Sequence, residues 1–157
     1  MLKILILAGG YSNEREISLI TAKSVINELK KNRKYTLFLT EPDGNFIKKL
    51  RKFKPDLVLN LLHGRYGEDG YIQSILESEK VKYTHSGVLS SSLAIDKEIS
   101  KKLFLKNKIL TPPYIKFIFK SNLNIKKLIN IISKKLKFPV VLKPINEGSS
   151  VGVYISN

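Results

Sequence analysis

At 157 residues the chain is long enough for one ordinary domain or for one and a half small ones, and a hydrophobic content of 43% supports a packed core rather than a disordered ensemble. With no cysteine it has no disulfide framework, no zinc–cysteine site and no cysteine nucleophile. Its 28 Lys and Arg against 13 Asp and Glu leave a net charge of +15, which suits either a nucleic-acid binder or a lysine-rich solvated surface. The lysines are scattered along helix faces, as in Lys30-Lys31 and Lys134-Lys135, without aromatics beside a compact basic stripe. The solvated surface is therefore the expectation, with no nucleic-acid partner.

Lys3 to Ala8 forms a short apolar run ended by Gly9-Gly10 and predicts a buried strand. Asn13 followed by Glu16 fits a capping box that opens a helix from about Glu14 to Lys30, with Ile17, Ala22, Val25, Ile26 and Leu29 on one side. Tyr35 to Thr40 is a second strand, Asn45 to Phe53 a short helix, and Asp56 to Asn60 a third strand. That third run is continuously apolar, as in parallel strands buried on both faces. Glu68 to Ser78 is another helix and Val81 to Tyr83 a short strand. This alternation predicts a parallel α/β sheet with its ligand crevice at the carboxyl ends of the strands, where Gly9-Gly10 and His63-Gly64 sit. No apolar run approaches the ~20 residues that span a bilayer, and the first strand lacks a signal-peptide cleavage site. A cytoplasmic location without a membrane partner is expected.

The texture changes after about Ser86. Leu89 to Ala94 and Asp96 to Lys106 are predicted helices, Thr111-Pro112-Pro113 a linker, Tyr114 to Phe119 a strand and Leu123 to Leu136 a helix. The strand Val140 to Lys143 then delivers a lysine into Pro144-Ile145-Asn146-Glu147-Gly148-Ser149-Ser150, and a second strand runs from Val151 to Ile155. A cation beside flexible backbone N–H groups is a way to hold phosphate oxygens between two strands. No Gly-Lys-Ser/Thr opens a helix here, so this is not the usual phosphate loop. The predicted boundaries are an amino-terminal α/β unit at residues 1–90 and a second unit at residues 91–157.

Five places in the chain are candidates for chemistry. Glu14 lies in a first helical turn, where it either complements the helix dipole or accepts hydrogen bonds from a substrate ammonium; one acid does not separate the two. His63, one of two histidines, sits at a strand's carboxyl end beside the same crevice. His85 is a polar loop residue. Lys143 ends an apolar strand, so its stem is expected to be buried and its charge to face Glu147 or a nucleotide phosphate. Asp96-Lys97 alone indicates a capping acid and a solvated lysine.

In order, Gly9-Gly10 with Ser12 and Glu14-Arg15-Glu16-Ile17-Ser18-Leu19, His63-Gly64 with Gly67-Glu68-Asp69-Gly70, Tyr83-Thr84 with Ser86-Gly87-Val88, Asp96-Lys97, and Pro139-Val140 with Lys143-Pro144 and Glu147-Gly148-Ser149-Ser150-Val151-Gly152 run through the chain. Together they resemble the amino-terminal part of the D-alanine–D-alanine ligase family of ATP-grasp enzymes. The resemblance implies a Rossmann-like, pre-ATP-grasp domain followed by the first part of an ATP-grasp α+β domain. It implies ATP-dependent joining of two D-alanines through an acyl phosphate, for peptidoglycan. Glu14 would hold the ammonium of the first D-alanine, His63 would lie beside it, and Ser149 would hydrogen-bond toward Glu14. Lys97 and Lys143 would contact ATP phosphates, and Glu147, Gly148, Ser149, Ser150, Val151 and Gly152 would supply the rest of the nucleotide loop. The acidic Mg2+ ligands of the family have no match in the chain, which implies a fragment that is inactive alone, and the family suggests a homodimer. His85 stands where the family usually has glycine. The alternatives are a non-catalytic small-molecule binding remnant or a related carboxylate–amine ligase of the same superfamily.

Overall fold

The computed structural model describes residues 1–156. In chain order the elements are β1 (Leu2–Leu7), α1 (Arg15–Leu29), β2 (Tyr35–Thr40), α2 (Phe46–Phe53), β3 (Leu57–Asn60), α3 (Tyr71–Ser78), α4 (Val88–Ala94), α5 (Lys97–Lys106), α6 (Ile125–Lys135), β4 (Val140–Leu142) and β5 (Tyr154–Ser156). The first three strands form a parallel sheet in the order β2-β1-β3, with Leu5 opposite Phe38 on one side and Val58 on the other. Parallel neighbours need crossovers, and α1 and α2 supply them.

The central strand β1 explains the core. Leu5, Ile6, Leu7 and Ala8 are fully buried. Alternation sends Leu5 and Leu7 to one face, where they pack with Phe46 and Leu50 of α2, Val58, and Ile72 and Leu76 of α3. Ile4, Ile6 and Ala8 meet Ala22 of α1 on the other, with Leu19, Ile26 and Leu29 around them. Helices on both faces are what a continuously apolar strand requires.

Several expectations change in detail. The Asn13–Glu16 capping box does not form: Glu14 occupies the cap position without a side-chain cap bond. Ser12 takes over locally, its Oγ accepting from Glu14 N at 3.1 Å and donating to His63 O at 2.7 Å. Ile17 faces solvent, and Ser18 takes the buried position instead. α3 starts at Tyr71 rather than Glu68, because Gly70 sits at φ +94° and interrupts the helical backbone, while the Asp69 carboxylate accepts from Tyr71 N. Val81 to Tyr83 contributes only a bridge between Val58 and Tyr83. Tyr114 to Phe119 is not a strand, since it finds no ladder partner among the described residues.

The second sheet is the antiparallel pair β4-β5, with Val141 opposite Ile155. β5 begins at Tyr154 rather than Val151, because residues 148–152 are taken up by turns. The predicted cap of α5 is present: Asp96 accepts from Glu98 N and Ile99 N, both at 2.9 Å. No helix among the described residues is long and apolar enough to cross a membrane.

One surface ion pair ties α1 to the end of β2. Arg15 Nη2 lies 2.6 Å from Glu41 Oε1, and Arg15 Nε donates to Oε2 at 3.2 Å. This forked bond holds the Glu41 carboxyl below its ordinary value of 4.5. A depressed carboxylate contributes stability above its unfolded pKa and loses it as pH falls through the folded one. Glu41→Gln should therefore lower the melting temperature at neutral pH, and the gap to wild type should close as the pH drops below about 4.5; a gap that is constant with pH would rule out the ion pair as its cause. Leu76→Ala, in the fully buried core, should cost about 2–5 kcal/mol in urea denaturation, whereas Ile129→Ala on half-exposed α6 should stay within about 0.5 kcal/mol.

Candidate functional site

At the carboxyl end of β1 the chain turns through Gly9 and Gly10, both at φ +85°, a conformation that L side chains rarely adopt. Gly9 N donates to Ser18 Oγ at 2.8 Å, and that hydroxyl donates to Leu61 O at 2.6 Å. Buried Ser18 thus stitches the loop after β1, helix α1 and the loop after β3 together. These are the two loops expected to line the crevice.

Glu14 lies at the bottom, only 1% exposed. Its Oε1 accepts from Gly148 N at 3.2 Å, and its Oε2 is buried with no hydrogen-bond partner. Gly64, at φ +66°, passes so close that an added Cβ would stand 2.6 Å from Oε1. His63 is beside it with 27% of its side chain exposed. Its Nε2 is 3.4 Å from Thr21 Oγ1 and its Nδ1 is 3.8 Å from Glu68 Oε1, while Glu68 Oε2 accepts from Gly64 N at 2.8 Å. Thr21 was not singled out from the sequence. Its signal was available: Glu14, Ser18 and Thr21 recur at helical spacing and share one side of α1.

The loop between β4 and β5 reaches this crevice through its backbone. Ser149 at φ +42° and Ser150 at φ +63° form a tight turn closed by Val151 N donating to Gly148 O at 2.8 Å. Positive φ at both central residues is the type I′ arrangement. The expected Ser149–Glu14 hydrogen bond is replaced: among the described residues the loop meets Glu14 through Gly148 N, and Ser149 and Ser150 are exposed. Gly152, at φ +66°, packs on Pro144, where an added Cβ would come within 2.8 Å.

Lys97 is not solvated. Its ammonium donates to Ile145 O at 3.3 Å and to Glu147 O, and its N–H donates to Ile145 O at 3.2 Å. The start of α5 therefore holds the loop segment that precedes Gly148. Lys143 departs from expectation. It is exposed and pairs with neither Glu147 nor another acid among the described residues. The short strand β4 ends before it and, among the described residues, has no third strand to cover it. Lys143 instead rims an apolar groove of about 390 Å³ walled by Phe117, Phe119, Leu142 and Tyr154. A second groove, of about 540 Å³, lies between Tyr11, Leu19 and the end of β2 and contains neither Glu14 nor His63.

The residues thus bring together a buried carboxylate with one oxygen free, an imidazole, an exposed serine turn and a lysine clamp. A primary ammonium suits the first, and phosphate oxygens suit the last two. Among the described residues no three His, Asp or Glu side chains gather as a metal site.

A family model described as "D-ala D-ala ligase C-terminus" matches residues 103–157. A D-alanine–D-alanine ligase of Pelagibacter ubique (strain HTCC1062) is 65% identical over 154 residues, covering 98% of this chain and 49% of that protein. One of Wolbachia pipientis wMel is 46% identical over 156 residues, covering 97% and 46%. Among solved structures, D-alanine–D-alanine ligase from Bacillus anthracis superposes with a TM-score of 0.76 at 36% identity, over 99% of this chain and 49% of that one. Its complex with ATP gives 0.76 at 34% identity, over 99% and 50%. The chain spans about half the length of the curated relatives it matches. In sequence and fold, over nearly its whole length, the chain is similar to about half of a D-alanine–D-alanine ligase.

Proposed function

We propose that the chain builds the first-substrate side and the serine-loop wall of an ATP-dependent ligation of two D-alanines. Residues 1–90 form the substrate unit and residues 91–157 part of the ATP-grasp unit. The observation that carries this reading is the unpartnered Oε2 of Glu14. A buried carboxylate oxygen without a donor is costly. The ammonium of an amino acid supplies three N–H donors and a compensating charge.

In this reading Glu14 seats the ammonium of the first D-alanine and leaves its carboxylate toward His63 and the loop. The carboxylate takes the γ-phosphoryl group of ATP, giving an acyl phosphate and ADP. The amine of a second D-alanine attacks the acyl carbon, inorganic phosphate leaves, and D-alanyl-D-alanine forms for cell-wall peptidoglycan. Phosphoryl transfer chiefly needs alignment and charge neutralisation. Lys97 and Lys143 supply cations, and Glu147 to Gly152 supply the loop whose N–H groups at Ser149 and Ser150 meet phosphate oxygens. His63 lies beside the developing acyl phosphate. The apolar groove rimmed by Lys143 takes the nucleotide base. The described residues do not assemble the oxygen cluster that Mg2+ prefers, so no step here runs through that ion.

Titration calorimetry of the chain with D-alanine tests the reading. Glu14→Gln should weaken D-alanine binding by about 10- to 100-fold, the range for a hydrogen bond to a charged group. D-lactate, which has a hydroxyl in place of the ammonium, should give no heat. Flat heats with D-alanine, or equal affinity in the variant, would overturn it.

A further inference from the structure

We propose that Asn60, braced by His85, is the positioning residue that sets the loop carrying His63. The proposal rests on the reading of His63 as a site residue, but its test does not require substrate. Asn60 is the last residue of β3 and is fully buried. Its carboxamide spans the loop that follows. Oδ1 accepts from Leu62 N at 3.2 Å, directly before His63, and Nδ2 donates to Gly67 O at 2.9 Å, on the returning limb. The two limbs touch at those points, since a Cβ on Gly67 would stand 2.2 Å from that of Leu62. Gln73, buried on α3, donates to the same Gly67 carbonyl at 2.8 Å. One carboxamide thus closes the segment 62–67 upon the sheet, and a second fixes its far end to a helix.

The second hydrogen of Asn60 Nδ2 points at His85 Nδ1, 3.2 Å away. The carboxamide cannot be turned over, because its oxygen would then face the Gly67 carbonyl and its NH2 would face Leu62 N–H. Nδ2 is therefore the donor, and His85 must accept through Nδ1 and carry its proton on Nε2. His85 holds this pose at φ +90°, a conformation uncommon for any residue with a side chain. It is otherwise an exposed residue, free to relax if nothing held it. A neighbouring bond completes the brace: Asn60 N donates to Thr84 Oγ1 at 3.0 Å, so the strand end and the 84–85 segment are joined twice. Asn60 touches neither the crevice carboxylate nor the His63 ring; it acts through the loop.

The chain has two histidines, so imidazole nitrogen NMR of the intact protein assigns both without ambiguity. His85 should appear as the Nε2–H tautomer with Nδ1 accepting. In His85→Gly, which removes the acceptor and relieves the backbone, hydrogen exchange at Leu62 N should accelerate about fivefold, the factor for one net hydrogen bond, and the His63 ring resonances should shift. His85→Asn, which tolerates positive φ and offers a carbonyl acceptor, should restore both to wild type. An Nδ1–H tautomer at His85, unchanged Leu62 exchange in His85→Gly, or His85→Asn behaving like His85→Gly would each overturn the proposal. Because no ligand enters these measurements, they stand even if D-alanine fails to bind, and a failure here leaves the Glu14 titration untouched.

Discussion

A carboxylate taken out of water demands hydrogen-bond donors, and Glu14 makes that demand where three segments of the chain converge. The loop after β1 carries it, the loop after β3 closes over it at Gly64, and the β4-β5 loop supplies its one donor among the described residues, Gly148 N. None of these segments is close to another in sequence. They meet because Ser18 binds the first two into one wall and because Lys97 delivers the third. Remove the buried charge and the crevice loses its reason to hold an amide of the second half against the first.

The parts of the fold written in local pattern were legible before the structure. Ile4 to Ala8 and Leu57 to Leu59 are uninterrupted apolar runs because parallel strands are covered on both faces, and Asp96 announces a helix start because its carboxylate bonds to the free N–H groups beyond it. What was not legible depends on partners or on backbone sign. Tyr114 to Phe119 has strand-forming residues, but a strand exists only against a neighbour, and none is present among the described residues. The family resemblance implies a hydroxyl contact from Ser149 to Glu14. The positive φ values of Ser149 and Ser150 turn the backbone instead, so Gly148 makes the contact. Asn60 looks like an ordinary polar residue at a strand end until the chain returns at Gly67 and gives its amide something to hold.

The two halves also differ in how they are held. In the first, eight buried side chains form one cluster beside the sheet and four more form another across it. In the second, neither α5 nor α6 has a buried residue, and apolar side chains such as Ile125, Ile129 and Phe119 stay exposed. A rigid wall therefore faces a lightly packed one. Such a division suits a site that must order a substrate on one side and close over it from the other.

Lys97 sits at the joint between them, and its bonding has a thermodynamic consequence. Its ammonium is occupied by the carbonyls of Ile145 and Glu147. In the proposed reaction the same ammonium serves phosphate oxygens, so an arriving anion competes with the contacts that seat the loop on Glu14. Two ligands that draw on one group are linked, and the linkage is reciprocal. Whatever the phosphate takes from the loop's anchoring must be returned by N–H groups of the turn at Ser149 and Ser150, two exposed residues at positive φ. In that proposed reaction the positive-φ turn at the two serines and the Lys97 anchor belong to one loop, so an anion bound at either would bear on the other.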